Sequence, residues 1–175
     1  LGFKEAGEYF KDPSKHIVAG NPVRKNFFTM TKAQARETLG IAPDDFVVFT
    51  FGGSLGSKKI NEIATELLQL FNGHQGTRLI MGTGRWYYQE IMDMLAQRNI
   101  HPGSNIAVRD YIDNMDICLM ACDVVISRAG ALSVAETTVC GKAAILIPAP
   151  NVTANHQYYN AKSVADRGGA FLIEE

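Results

Sequence analysis

Two glycine-containing turns hold the residue types and spacings best suited to chemistry. The first lies in Asp123 to Gly141, DVVISRAGALSVAETTVCG. The apolar run Val124-Val125-Ile126 reads as a buried parallel strand over Asp123 to Ile126, and the small-residue turn Ser127-Arg128-Ala129-Gly130 follows directly. A helix then opens with Ala131, Leu132 and Ser133 in its first turn, Leu132, Ala135 and Val139 on its apolar side, and Gly141 as its stop. Strand, turn and helix start in that order gather unpaired N–H groups and the positive end of a helix dipole at one point, which suits a phosphate. The same side chains have a second use. Ser133-Val134-Ala135-Glu136 fits the S-x-x-E capping box, in which serine and glutamate only satisfy the first N–H groups of the helix. Cap and ligand both stand at this level.

The second turn is Gly52-Gly53-Ser54-Leu55-Gly56-Ser57. A strand rich in β-branched and aromatic residues, Asp45 to Phe51, runs into it, and a helix with Ile60, Ile63, Ala64, Leu67 and Leu70 on one side leaves it. The geometry again favours a phosphate-facing loop. It is not a dinucleotide fingerprint, because the glycines have the wrong spacing for G-x-G-x-x-G, and no Gly-Lys-Ser/Thr triplet makes it a Walker loop. Lys58 and Lys59 read as helix-surface charges rather than phosphate ligands. Arg24, after the turn Gly20-Asn21-Pro22-Val23, is either a surface charge or a cation at the rim of a cleft.

The remaining elements must position these turns. Leu1 to Lys15 reads as a connecting segment whose aromatic residues Phe3, Tyr9 and Phe10 need a surface, and His16 to Ala19 as a short strand. Thr31-Lys32-Ala33-Gln34 is a capping box opening a helix that ends at Leu39-Gly40. Further strands are expected at Thr77 to Met81, Asn105 to Val108, Ala143 to Ile147 and Ala170 to Ile173. Helices are expected from Trp86 to Gln97, after Tyr111-Ile112-Asp113-Asn114-Met115 as far as Ala121, and from His156 to Arg167. Strands alternating with helices through short loops predict an α/β fold: an open parallel sheet with helices on both faces, Rossmann-like. Ligands of such sheets bind beyond the carboxyl ends of the strands, where all the candidate loops leave.

Composition narrows the partners. The chain has 175 residues, 46% hydrophobic and 20% charged, with net charge −1, so the electrostatic case for a nucleic-acid binder is missing. The three cysteines, Cys118, Cys122 and Cys140, form no CxxC pair and read as reduced thiols. No stretch has the length and apolarity of a membrane span. The chain opens on Leu1 and stops at Glu175 straight after a strand, so a piece of a longer protein lacking a C-terminal tail is expected.

Taken together, Gly20 to Arg24, Gly52 to Gly56, Tyr111 to Met115, Ser127 to Glu136 and His156-Gln157-Tyr158-Tyr159-Asn160-Ala161 resemble the C-terminal half of the MurG family, the bacterial cell-wall N-acetylglucosaminyltransferases. The resemblance implies one half of a GT-B glycosyltransferase, with residues 1–15 leading from a missing N-terminal domain and residues 16–175 forming a UDP-N-acetylglucosamine-binding domain. It implies that Ile112 reads the uracil edge through its backbone and that Glu136 holds the ribose hydroxyls. Gly130, Ala131, Leu132, Ser133 and Val134 would surround the pyrophosphate with Gly53 and Ser54, Arg24 would lie near the phosphates or the sugar, and His156 and Gln157 would face the sugar hydroxyls. Gln157 is the firmer sugar ligand, since a form of the family has two adjacent glutamines where His156 stands. No catalytic residue, metal or cofactor is implied for this half. The general base, the acceptor site for lipid I and the membrane-facing patch belong to the N-terminal domain, at the cytoplasmic face of the membrane. Alternatives are a non-catalytic sugar-nucleotide module that pairs with a separate membrane-bound half, or a GT-B UDP-sugar epimerase with its own acid and base. An NAD-dependent oxidoreductase is disfavoured by the failed fingerprint.

Overall fold

The computed structural model describes residues 1–2 and 4–175; Phe3 of the expected aromatic set lies outside them. Six strands form one sheet: β1 (Phe46–Phe51), β2 (Thr77–Gly82), β3 (Ile106–Arg109), β4 (Val124–Ser127), β5 (Ala143–Leu146) and β6 (Phe171–Leu172). Every pairing is parallel, in the order β3-β2-β1-β4-β5-β6. That is the doubly wound order, and its switch point falls between β1 and β4, the strands that feed the two glycine-containing turns. The helices are α1 (Lys32–Leu39), α2 (Lys58–Phe71), α3 (Tyr88–Gln97), α4 (Met115–Ala121), α5 (Ala131–Val139) and α6 (His156–Ala165).

Strand alternation splits the core in two. Val47, Phe49 and Phe51 point to one face with residues of α1, α4, α5 and α6, while Val48 points to the other with Ile60, Ala64 and Leu68 of α2 and Ile91 and Leu95 of α3. Burial on both faces is why β1 reads as an uninterrupted apolar run. α1 begins at the predicted box: Thr31 Oγ1 accepts from the Gln34 N–H at 3.2 Å, and Gln34 Oε1 accepts from the Thr31 N–H at 2.9 Å. It ends on Gly40, at φ 63°.

Five expectations change. His16 to Ala19 is no strand: it is extended, Ile17 is 77% exposed, and its backbone bonds run to Leu1 and, from the His16 N–H, to the Pro13 carbonyl. It stands away from the sheet, whose edges are β3 and β6. In α2 the buried line is Ile60, Ala64 and Leu68, with Asn61 and Thr65 beside it, and Leu70 is exposed. In α5 the buried residues are Val134 and Thr137, whereas Leu132 faces outward. Both helices are rotated from the purely apolar choice, because Asn61, Thr65 and Thr137 are counted as polar yet lie inside. Trp86 precedes α3 and is 74% exposed, and α6 closes at Ala165, with Gly168 at φ 74° turning the chain into β6.

Cys118 and Cys122 are buried and Cys140 partly so, all as free thiols. Burial pushes Cys122 up to about 12 and Cys118 and Cys140 to about 11, so none is a thiolate at neutral pH.

Candidate nucleotide-sugar site

The turn after β1 is shaped first by backbone packing. A Cβ on Gly56 would meet the Thr83 carbonyl at 2.2 Å, and one on Gly84 would meet the Gly56 Cα at 2.3 Å, so this turn lies directly on the turn after β2. The Asn61 amide donates to the Thr83 carbonyl at 3.0 Å and holds the second turn from below. Gly53 differs: it has φ 89° with nothing near its missing Cβ, so it faces open space.

At the end of β4, α5 begins at Ala131 with Gly130 as its N-cap and no side-chain capping bond. Ser133 is therefore the third helical residue, and the S-x-x-E capping box does not form. The Val134 N–H is already taken by the Gly130 carbonyl at 2.9 Å. The N–H groups of Ala131, Leu132 and Ser133 are those that the helix itself cannot satisfy. Val134 is 1% exposed and belongs to the core, so the structure withdraws it from the expected ligands and leaves its three predecessors.

Glu136 lies one turn further on, with a side chain 14% exposed and 3.3 Å from Arg24 Nη1. Burial raises its pKa, Arg24 opposes the rise and Asp116 adds to it; the net direction is upward. The segment that follows Arg24 is anchored to α4, since the Asn26 amide donates to Asp116 Oδ2 at 2.6 Å. Arg24, Gly53, Ser54, Ile112, Leu132, Ser133 and Glu136 thus line one cleft beyond the carboxyl edge of the sheet. Ile112 is 7% exposed, with its side chain against Gly82, which leaves only its backbone for recognition.

Ser54 also lines a neighbouring cavity with Ser57, Arg128 and Gln157. Gln157 Oε1 accepts from the Ala129 and Ala149 N–H groups, both at 3.1 Å, so its NH₂ group is the part left for a ligand. His156 is exposed, lines neither cavity and bonds the Thr153 carbonyl through Nδ1 at 2.9 Å. Gly130 and Ala131 stand at the helix start between these groups.

Sequence reasoning gave no role to four participants. Asp110 and Tyr111 line the cleft, and Arg85 lies 4.7 Å over the Tyr111 ring. Arg128 spans three loops. The apolar-polar pattern carries no signal for any of them; a turn arginine among small residues was the one visible sign.

Comparisons with known proteins bear on the family and the fold. The family model described as the glycosyltransferase family 28 C-terminal domain matches residues 47–175. A curated relative from Acetivibrio thermocellus, a UDP-N-acetylglucosamine–N-acetylmuramyl-(pentapeptide) pyrophosphoryl-undecaprenol N-acetylglucosamine transferase, is 40% identical over all of this chain and 47% of its own length. The chain therefore spans about half of that relative. Among solved structures, MurG of Acinetobacter baumannii superposes with TM-score 0.65 at 26% identity, over 93% of this chain and 45% of that one. The C-terminal CMP-Kdo binding domain of WaaA from Acinetobacter baumannii superposes with TM-score 0.59 at 13% identity, over 86% and 83% of the two chains, a likeness of fold alone. With the family model covering the sheet from β1 onward, the chain belongs to the glycosyltransferase family 28 C-terminal domains.

Proposed function

We propose that this chain is the donor-binding half of an inverting glycosyltransferase that moves N-acetylglucosamine from UDP to lipid I, giving lipid II for peptidoglycan. The observation that carries the reading is the convergence of Arg24, Ser54, Ile112, Ser133 and Glu136, from four separate stretches, on one cleft at the switch point of the sheet. A nucleoside fits the end bearing Ile112 and Glu136. Backbone groups of Ile112 can pair with a uracil edge, and a carboxylate can accept from both ribose hydroxyls. The diphosphate then falls at the free N–H groups of Ala131, Leu132 and Ser133, with Ser54 opposite. The sugar extends past Ser54 towards the Gln157 NH₂ group.

Charge develops on the diphosphate as the bond to the sugar breaks. The α5 N-terminus, the Gly53-Ser54 turn and Arg24 stabilise that charge from the protein side, in the manner of other preorganised donor sets. Since Arg24 pairs with Glu136, donor entry exchanges one partner of that pair for ribose and phosphate oxygens. The base that deprotonates the acceptor hydroxyl, the lipid I site and the contact with the membrane belong, in this reading, to a separate N-terminal domain. Action at the cytoplasmic membrane face, and with it a part in cell shape and division, belongs to the same proposal. Among the described residues no helix is long and apolar enough to cross a membrane.

Calorimetric titration with UDP-N-acetylglucosamine, with NAD as control, tests the assignment. The expected result is binding of the first ligand alone, weakened at least about tenfold by Glu136→Ala, the size of one charge-assisted hydrogen bond or more. No heat with UDP-N-acetylglucosamine, or equal binding of NAD, overturns it.

A further inference from the structure

Arg128 sits in the β4–α5 turn with its side chain 13% exposed. Its bonds run to other loops. Nε donates to Ser57 Oγ at 2.9 Å, and Nη1 donates to the Ile147 and Pro148 carbonyls at 3.1 and 3.0 Å. The Glu175 carboxylate lies 2.7 Å from the same nitrogen. Ser57 is the N-cap of α2 and closes the turn that carries Ser54; Ile147 and Pro148 open the loop that leads into α6, whose second residue is Gln157. One guanidinium therefore ties together the three loops that carry Ser54, the start of α5 and Gln157.

Gln157 laces the same two loops from the other side. Its Oε1 accepts from Ala129, the residue after Arg128, and from Ala149, the residue after Pro148. Two N–H donors on one oxygen fix which end of the amide faces the cavity, leaving the NH₂ group directed at a ligand. The spacing between Ala129 and Ala149 thus decides whether that orientation holds, and Arg128 sets the spacing.

We propose that Arg128 is a positioning residue for the sugar end of the donor site: by clamping the Ile147-Pro148 carbonyls to the β4–α5 turn it holds Gln157 in its ligand-facing orientation. The proposal rests on the donor-binding reading and deepens it. An arginine is required, because a planar fork can reach a hydroxyl with Nε and carbonyls with Nη1 at once, whereas lysine offers a single point charge. Loss of the fork strands two buried carbonyls, and the loop they belong to then shifts.

The test is titration of wild type, Arg128→Lys, Gln157→Ala and the double variant with UDP and with UDP-N-acetylglucosamine, each protein also melted thermally. A structural arginine lowers the melting temperature and leaves the ratio of the two affinities alone; a positioning residue changes that ratio. In Arg128→Lys the expected affinity for UDP stays within about threefold of wild type while that for UDP-N-acetylglucosamine falls about tenfold or more. Gln157→Ala should show the same selective loss, and the double variant no more than either single change, because both act on one contact. The backbone amide resonances of Ala129 and Ala149 should shift in Arg128→Lys. Equal weakening of both ligands, wild-type binding in Arg128→Lys, or additive losses in the double variant overturn the proposal. Should Arg128→Lys fail to fold, Arg128→Gln, which also lacks the fork, is measured in its place, and an unchanged ratio there overturns the proposal equally. Wild-type protein that binds neither ligand refutes the donor reading itself, which separates that failure from this one.

Discussion

Glu136 shows how a residue can be visible in sequence while its role is not. Ser133 and Glu136 have the spacing of a capping box, but Gly130 takes the capping position and places both residues inside α5. A three-residue shift in helix start, which propensity does not resolve, turns a cap into a cleft carboxylate. Its energetics give a prediction. Burial, opposed by Arg24, raises the pKa of Glu136 above its ordinary value of 4.5, so the folded state holds the proton more tightly than the unfolded chain. Stability attached to this group is accordingly greatest at low pH and falls as pH rises from the unfolded value through the folded one. Glu136→Gln removes the ionised form, so this variant should melt above wild type at pH 7, and the advantage should vanish below pH ~4, where wild-type glutamic acid is also neutral. Donor affinity should move oppositely, with Glu136→Gln binding more weakly at pH 7. Melting curves across that range decide the matter: a lower melting temperature for Glu136→Gln at pH 7 would show the Arg24 pair outweighing burial.

At the scale of elements, strands and turns were more legible than helix faces. β1, β2 and β5 follow from apolar runs bounded by glycine, proline or charge, and the two turns at the switch point follow from their glycines. The faces of α2 and α5 were misread because Asn61, Thr65 and Thr137 are buried polar residues, with Thr65 bonding the Asn61 carbonyl and Asn61 bonding the Thr83 carbonyl. The partners of Asn61 and Thr65 come from another loop and from the preceding turn of the helix, and a hydrophobicity pattern contains neither. The glycines also divide in a way that sequence cannot express. Gly56 has φ 88° and backbone in contact, whereas Gly53 has φ 89° and open space. Gly53→Ala should then cost about 1 kcal/mol, the strain of a left-handed alanine alone. Gly56→Ala should cost about 3 kcal/mol or more, strain plus displacement of the β2–α3 turn. Urea unfolding of both variants reads the difference directly, and equal losses would mean that the two turns move apart without penalty.

Across the whole molecule the sheet separates bracing from binding. At the amino edge, burial pushes the Asp123 carboxyl up, but Lys32, the Val47 N–H at 2.8 Å and Arg36 outweigh it and hold the pKa below the usual range. Arg36 is itself 5% exposed and bonds the Ala121, Ala42 and Pro43 carbonyls, so the cations at this edge, Arg36 and Lys32, are engaged on the fold rather than on a ligand. The carboxyl edge instead leaves the α5 N–H groups, the Gln157 NH₂ group and Ile112's backbone facing a cleft. Such an edge gains order when a ligand fills it, and the gain is calculable. A donor at a hundred times its dissociation constant stabilises the folded state by about 2.7 kcal/mol. For a chain of this size that corresponds to a rise in melting temperature of about 5–10 °C. UDP-N-acetylglucosamine should produce it and NAD should not. The same preparation, saturated with donor and supplied with lipid I, should form no lipid II, because the two carboxylates that line the cleft are both engaged, Glu136 with Arg24 and, in this reading, the ribose, and Asp110 Oδ1 with the Tyr111 N–H at 2.8 Å. Lipid II formed by this chain alone would move the general base into the donor half and assign it to one of those two carboxylates.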